Sequence, residues 1–309
     1  MRDSVAARGH DPKPSTATSQ TSGNAGIGST SFGVADPDER RRRELAQFLK
    51  AKRAGIAPES VGLRRTWRRR ARGLLREEVA QRAGISPTWY VWLEQGRDIR
   101  PSADVLEHLA DALALTDSER AYLLALARTG VAAKHVFSCA APPALTAWLD
   151  GLDQPAYAIN GRCDVLGWNR PATALLGDFA SVVPADRNIM RMIFLWPEWR
   201  RRFVDWDRLA ASAVAQFRAS TARYAGTAEL AAFVRDLAHD SGDFAALWNA
   251  RGVETPQLKV KRMQHPELGA IDLTYAQLQP KGVAADLSVI VYSPQNASAP
   301  NPMSAADHR

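Results

Sequence analysis

The segment that most constrains the fold of this chain begins at residue 74 and reads LLREEVAQRAGISPTWYVWLEQGRDIRPS. Leu75, Val79 and Ala83 form an apolar stripe at helical spacing, and Gly84 permits a tight turn after them. A second helix is expected to begin after Ser86, because serine caps helix N-termini. The pattern therefore predicts two short helices that meet across a turn.

The second of these helices is expected to have an apolar face and an outward face. Its inward residues are Ile85, Tyr90 and Leu93, and its outward residues are Thr88, Trp89 and Trp92. An exposed helix that follows such a turn can enter the major groove of DNA, where its side chains reach the base edges. We therefore predict a DNA-reading surface on this helix.

The positive charge of the chain is concentrated around the same segment. The net charge is +7, and residues 38–100 hold 17 Lys or Arg against 8 Asp or Glu, whereas residues 1–37 balance and 101–309 sum to −2. This concentration is typical of a surface that neutralises DNA phosphates, with a solvated basic face as the alternative. One arginine cluster is expected to contact the DNA backbone, unless it is a loop without DNA contact. Its members are Arg64, Arg65, Arg68, Arg69, Arg70 and Arg72.

Composition divides the 309 residues into two tails and two domains. Residues 1–36 are rich in Ser, Thr, Gly, Ala and Pro and, like residues 295–309, are expected to be disordered. Apolar residues at helical spacing continue over 37–130, which predicts an all-α domain. A linker over 131–142 leads to a second domain at 143–294.

The second domain is expected to be α+β, with an antiparallel sheet flanked by helices. Predicted strands cover 155–159, 164–168, 257–264, 269–278 and 286–292. One helix is expected to start at Pro197 and to carry Trp199, Phe203, Trp206 and Ala210 on one face. Another helical stretch covers 228–250.

The helical segment resembles the XRE-type, lambda-repressor-like helix-turn-helix family. The residues that carry the resemblance are Val79, Ala80, Gly84, Ser86, Leu93, Glu94 and Gly96. The resemblance implies that Ser86, Pro87, Thr88 and Trp92 lie nearest the base edges, and that Arg76 and Arg97 contact phosphates. Pro87 and Trp92 cannot make bidentate hydrogen bonds with a base, so sequence reading would depend on thymine methyl groups, DNA shape, or Arg97 and Arg100.

The order of parts along the chain resembles the MmyB-like regulators of actinobacteria. The segments that carry this resemblance are REEVAQRAGIS, YVWLEQGR, PAYAINGRCDVLGWNRPATALLG, PEW, DW, DFAALWNARGV and HPELG. It implies a transcription regulator whose PAS-like C-terminal domain holds a fatty acid or similar apolar ligand. Residues suited to line such a pocket are Met190, Met192, Ile193, Phe194, Leu195, Trp196 and Phe233, for which an ordinary core is the alternative. A ligand carboxylate could pair with Arg191, Arg200, Arg201 or Arg202.

The sequence carries no pattern typical of catalysis, a metal site or a bound cofactor. Its six histidines lack metal-ligand spacing, and nucleophile-elbow and phosphate-loop motifs are absent. No run has the length and apolarity of a membrane span, so a cytoplasmic, nucleoid-associated protein without membrane contact is expected.

We therefore predict a transcription regulator, not an enzyme, that binds double-stranded DNA as a homodimer and binds a small apolar ligand. A dimer is expected because a lone helix-turn-helix makes few contacts with its site. The alternative is a DNA-binding regulator whose C-terminal domain serves only dimerisation or a protein partner.

Overall fold

A computed structural model of the chain describes residues 36–63, 71–127, 137–250 and 260–295. The tails predicted to be disordered lie outside these ranges except for residues 36 and 295. Most of the predicted arginine cluster, including Arg68, Arg69 and Arg70, also lies outside them. We call the described residues up to 127 the helical half and those from 137 onwards the sheet half.

The helical half consists of α-helices joined by short connections. Its helices are α1 Pro37–Gly55, α2 Arg76–Arg82, α3 Pro87–Glu94, α4 Ala103–Ala112 and α5 Asp117–Ala127, with a single 3₁₀ turn at Pro58–Val61. No strand occurs among residues 36–63 and 71–127, and the predicted all-α fold is confirmed.

Signals in the local sequence set where these helices begin. At the start of α3, the side chain of Ser86 accepts a hydrogen bond from the backbone N–H of Trp89 at 3.1 Å, as predicted. In the turn before it, Gly84 has a φ of +67°, a conformation that favours glycine. At the start of α5, the side chains of Thr116 and Glu119 each accept a hydrogen bond from the other's backbone N–H.

The prediction that Leu75 belongs to the inward apolar stripe is wrong. Leu75 is 40% exposed, whereas its neighbour Leu74 is fully buried with Val79 and Ala83 in the helical core. The reason is that Leu75 precedes the first turn of α2 and has extended backbone, with φ −79° and ψ 157°. Its side chain therefore does not follow the helical period that places Val79 and Ala83 inward.

The sheet half contains five strands, β1 Ala156–Ile159, β2 Val165–Trp168, β3 Val260–His265, β4 Gly269–Leu278 and β5 Ser288–Pro294. They form one antiparallel sheet with strand order β2-β1-β5-β4-β3. The helices of this half are α6 Pro143–Asp150, α7 Arg170–Leu176, α8 Ile189–Leu195, α9 Pro197–Arg202, α10 Trp206–Thr221, α11 Ala228–Asp240 and α12 Gly242–Ala250. The predicted α+β, PAS-like architecture is confirmed.

The helix predicted to run from Pro197 through Ala210 is wrong, because it is interrupted. The helix α9 ends at Arg202 and α10 begins at Trp206. Between them, Phe203 has extended backbone and forms an isolated bridge with Met263 of β3. The aromatic residues are buried as expected, but pairing with the edge of the sheet replaces helical continuity at Phe203.

Candidate DNA interface and ligand cavity

The first turn of α3 presents the residues that the resemblance places nearest DNA bases. Ser86, Pro87 and Thr88 are exposed, and Pro87 occupies the first helical position, where a missing N–H is tolerated. Trp92 is half-buried. Trp89 is also half-buried and packs against the helical core, so only part of its ring belongs to the outward face.

The predicted DNA-contacting arginines with described positions lie on the elements before and after α3. Arg97 and Arg100 are exposed in the segment that follows α3. The guanidinium carbon of Arg97 lies 5.6 Å from the ring centre of Trp92, and its Nε donates to Gln95 Oε1 at 2.8 Å. Arg76 begins α2 and is 46% exposed. All three therefore remain accessible to phosphates.

A buried carboxylate holds α3 in place against α1 and α2. The side chain of Glu94 is 1% exposed and lies 2.6 Å from Arg53 Nε and 2.6 Å from Arg76 Nε. Burial alone would raise the pKa of Glu94, but hydrogen bonds from Arg53 and Arg76 outweigh it and hold the pKa below its usual value. Arg53 also donates to the carbonyl of Leu74 at 3.0 Å. Arg76 thus has a structural partner in addition to its predicted phosphate contact.

The two halves are joined by a buried arginine. Arg218 of α10 is 1% exposed, and its Nη1 donates to Glu44 Oε1 of α1 at 2.8 Å. The same Glu44 oxygen accepts a hydrogen bond from the hydroxyl of Tyr122 in α5 at 2.9 Å. The guanidinium of Arg218 lies 3.8 Å from the ring centre of Trp248 and donates to its carbonyl. One side chain of α10 therefore contacts α1 of the helical half and α12 of the sheet half.

A second contact between the halves depends on a glycine. Gly226 has a φ of +99°, and a Cβ at this position would lie 2.1 Å from the carbonyl oxygen of Pro37. Its own carbonyl accepts a hydrogen bond from Arg40 Nε at 2.6 Å. Close by in sequence, Ala222 and Ala225 are buried in the helical core. Ala222, Ala225 and Gly226 of the segment after α10 therefore pack against the helical half.

A cavity of about 570 Å³ lies between the sheet and α10. This volume falls within the range of small-molecule pockets. Its apolar wall consists of Tyr157, Ile159, Ile189, Met190, Ile193, Leu209, Ala213, Phe217 and Ile290. The wall also includes Ala125 of α5, so the helical half contributes to it. A long apolar molecule could lie along about 17 Å of α10, from Leu209 to Ser220.

A cation and buried phenols meet where β3, β4 and β5 line this cavity. Lys261 Nζ donates to the hydroxyl of Tyr292 at 3.0 Å, and that oxygen lies 3.5 Å from the hydroxyl of Tyr157. Burial and the neighbouring Tyr292 raise the pKa of Tyr157 well above its usual value, so its phenol stays protonated. Gln216 of α10 donates to the hydroxyl of Tyr275 at 2.9 Å.

Other polar groups line the cavity towards the segment after α10. Arg223 donates to the carbonyl of Ala285 at 3.1 Å. Asp286 accepts hydrogen bonds from the backbone N–H and the hydroxyl of Ser138, at 2.8 and 2.7 Å. Cys163 also lines the cavity, and burial raises the pKa of its thiol to about 12. That thiol is therefore not activated as a nucleophile.

The structure brings two of the predicted ligand residues to this cavity, namely Met190 and Ile193. The other five lie elsewhere. Met192 and Trp196 pack in the core around Trp199, and Phe194 meets the rings of Trp206 and Phe244 edge-on. Leu195 and Phe233 pack in the core around Phe217. These five side chains therefore pack in the cores of the sheet half rather than line this cavity.

The arginines predicted as carboxylate partners also lie away from the cavity lining. Arg191 faces Asp186 and Asp240 at 3.5 and 4.0 Å. Arg200 is paired with Asp243 at 2.5 Å and Arg201 with Glu198 at 3.3 Å. Like these three, Arg202 is not among the residues that line the cavity. Among the residues that the structure describes, the cations that line it are Lys261 and Arg223.

Sequence reasoning missed the tyrosines and Lys261, although a signal was available. In β4 and β5, Tyr275, Gln277, Ser288 and Ile290 occupy alternate positions and all line the cavity. In β3, Lys261 and the buried Met263 also share a face. The alternation of side chains along each strand therefore identifies the inward face of the sheet. A lysine on such a face is unusual and could have been noticed in the sequence.

Two absences hold for the parts of the chain that the structure describes. No group of three or more His, Cys, Asp or Glu residues there is placed to hold a metal ion. None of the helices in the described ranges is long and apolar enough to cross a membrane.

Two family models match the chain in its two halves. Residues 141–303 match the model of the MmyB-like transcription regulator ligand binding domain, and residues 62–123 match that of a helix-turn-helix domain. The first match covers more than half of the 309 residues. A comparison with curated proteins gave no match.

Proposed function

The chain belongs to the MmyB-like family of transcription regulators, and from that premise we propose that it is a dimeric, sequence-specific regulator whose DNA affinity is changed by a fatty-acid-like ligand. The ligand would occupy the cavity between the sheet and α10. In this role it would act in the cytoplasm, associated with the nucleoid.

One observation carries the proposal: the helix that lines the cavity also contacts the DNA-binding half. Leu209, Ala213 and Phe217 of α10 line the cavity, and Arg218 of the same helix is bound to Glu44 of α1. A ligand that displaces α10 would therefore act on the helical half through a buried contact. A ligand changes DNA affinity only if it binds one arrangement of the halves more tightly than the other.

The DNA-reading part of the proposal assigns α3 to the major groove. Ser86, Pro87, Thr88 and Trp92 would face the bases, with part of Trp89, and Arg76, Arg97 and Arg100 would contact the backbone. Arg68, Arg69 and Arg70 would add affinity that does not depend on sequence. Two protomers would place their α3 helices in half-sites about one turn of DNA apart.

Native mass spectrometry of the purified chain, before and after delipidation, tests the ligand part. Fluorescence-anisotropy titration of DNA from its own promoter with each form then tests the coupling. We expect a co-purified acyl chain whose removal changes DNA affinity by about fivefold or more, because couplings of this kind amount to about 1–3 kcal/mol.

The opposite result would leave the helix-turn-helix assignment intact and move the sheet half to another role. If no molecule co-purifies and added fatty acids leave DNA affinity unchanged, the sheet half would serve only dimerisation or a protein partner. The same spectra report the protomer count, so a monomer bound to operator DNA would contradict the dimer.

A further inference from the structure

Lys261 is a cation on an inward face of the sheet. It shares this face of β3 with Met263, which is fully buried. Its ammonium donates to Tyr292 and lies 4.1 Å from the ring centre of Tyr275 and 5.0 Å from that of Tyr292. Among the residues that the structure describes, no carboxylate lies within ion-pairing distance of this ammonium. Aromatic rings and a phenol thus take the place of an anionic partner.

The other charged groups nearby already have partners. Asp286, which lines the same cavity, is held by Ser138. Asp205, close to the start of α10, accepts two hydrogen bonds from Arg262 at 2.9 and 2.6 Å. Arg223 donates to a backbone carbonyl and stacks on Tyr224 at 4.9 Å. Of the two cations that line the cavity among the described residues, Lys261 is therefore the better candidate to bind an added anion.

An inward lysine on an edge strand can instead serve to prevent pairing with another sheet. The strand β3 is at the edge of this sheet. However, its outer side is already covered, because the backbone N–H of Val204 donates to the carbonyl of Arg262 at 3.0 Å and Phe203 bridges to Met263. Protection of the edge thus does not require a charge at Lys261.

From these observations, and on the premise of the proposed function, we propose that Lys261 binds the carboxylate of an acyl ligand and so fixes its direction in the cavity. The hydroxyl of Tyr292 accepts from Lys261, which leaves its own proton available to donate to the same carboxylate. From this anchor the apolar chain would run along Leu209, Ile193 and Phe217. The site therefore takes a monoanionic amphiphile and discriminates against its neutral analogue.

The test compares two probes with the same chain and different head groups, palmitate and hexadecanol. Isothermal titration calorimetry of the delipidated full-length protein gives a dissociation constant for each. We expect the wild-type chain to bind palmitate at least about tenfold more tightly, because a charge-assisted hydrogen bond amounts to about 1.5–3 kcal/mol. In Lys261→Met this preference should fall to about one, while hexadecanol affinity is kept.

Lys281→Met provides the matched control, because Lys281 is an exposed lysine in the loop after β4 and its loss should leave the preference intact. Unchanged preference in Lys261→Met would overturn the proposal, and so would loss of preference in Arg223→Gln alone. If Lys261→Met aggregates but keeps the preference, the lysine only protects the edge. If the wild-type chain binds neither probe, the proposed function itself fails, whereas equal binding of both probes refutes the anchor alone.

Discussion

The two halves of this protein differ in the composition of their cores and in the cavity that adjoins them. The core of the helical half is mostly aliphatic, with Leu49, Leu109 and Leu123 fully buried. The cores of the sheet half are rich in aromatic rings and adjoin the cavity of about 570 Å³. Packing to high density favours one conformation, which suits a half that must present α3 at a fixed angle. The half that would bind a ligand instead keeps open space.

Two charged groups, Glu94 in the helical half and Lys261 in the sheet half, differ in what surrounds them. In the helical half, the carboxylate of Glu94 meets both Arg53 and Arg76 at 2.6 Å. In the sheet half, the partly buried Lys261 contacts the hydroxyl of Tyr292 and the rings of Tyr275 and Tyr292, and no carboxylate of the described residues lies within ion-pairing distance. A charge that has its ionic partners stabilises a fixed arrangement, while a cation without one favours the binding of an added anion. This contrast separates a scaffold from a binding site.

The largest expected effect is a loss of stability in the helical half. Glu94→Ala should lower the free energy of unfolding of the helical half by about 3–5 kcal/mol, because it leaves two arginines without their carboxylate. The pKa of Glu94 is held below its usual value, so its stabilisation is present above the unfolded-state pKa and lost as the pH falls through the folded-state value. Urea denaturation followed over pH measures both effects. Glu77→Ala on the exposed face of α2 is the control, and equal losses in the two variants would contradict the role of Glu94.

The next effect concerns the connection between the halves. Arg218→Met should destabilise the protein by about 2–3 kcal/mol, because the contact with Glu44 is a charge-assisted hydrogen bond. It should also weaken the effect of ligand on DNA affinity, while ligand affinity itself stays close to that of the wild type. Calorimetric unfolding and anisotropy titration measure the two effects. Arg208→Met, at an exposed position of the same helix, should change neither, and full coupling in Arg218→Met would exclude this route.

An alanine-to-leucine substitution in each half compares the space available to a larger side chain. Ala110→Leu should cost about 1–3 kcal/mol, because Ala110 is fully buried in the helical core and the larger side chain must displace its neighbours. Ala213→Leu should cost much less, because its side chain would extend into the cavity. Thermal unfolding measures both, and the Ala213 variant should also lose palmitate affinity. Similar destabilisation at the two positions would mean that the cavity does not provide free space.

The smallest effect tests the exposed cations of the DNA interface. Arg97→Ala should weaken DNA binding by about tenfold or less and lower the salt slope by about one, because one phosphate contact is lost. Anisotropy titrations over a range of salt concentrations measure the slope. Arg235→Ala removes another exposed arginine, from α11 of the sheet half, and should leave the slope unchanged. A slope that stays constant in Arg97→Ala would remove Arg97 from the interface.

Much of the fold was predictable because its signals are local. The cap at Ser86, the turn at Gly84 and the span of β4 at 269–278 each depend on a few neighbouring residues, and the structure has them where the sequence predicts them. The prediction failed at Phe203, where helical spacing continued but pairing with β3 across the fold interrupted the helix. Nothing near Phe203 in the sequence signals a partner sixty residues away.

The candidate site was less predictable for the same physical reason. Apart from Arg191, the run from Met190 to Trp196 is apolar, and its composition alone cannot separate side chains that line a space from those that fill a core. Met190 and Ile193 line the cavity while Met192 is buried in the core. That division depends on how α8 is rotated against α10 and the sheet, which is a property of packing.

Periodicity, caps and composition are properties of neighbouring residues, so they were enough to predict the helix-turn-helix, the five strands and the concentration of positive charge before residue 101. Which charges are paired became visible only in the folded chain. Arg53 and Glu94 are 41 positions apart, and Glu44 and Arg218 are 174 apart. Lys261 is distinguished from other lysines only by what surrounds it in the fold. Contacts between residues so far apart in the sequence depend on tertiary packing. They make the helical half a rigid support for α3 and the sheet half a candidate sensor.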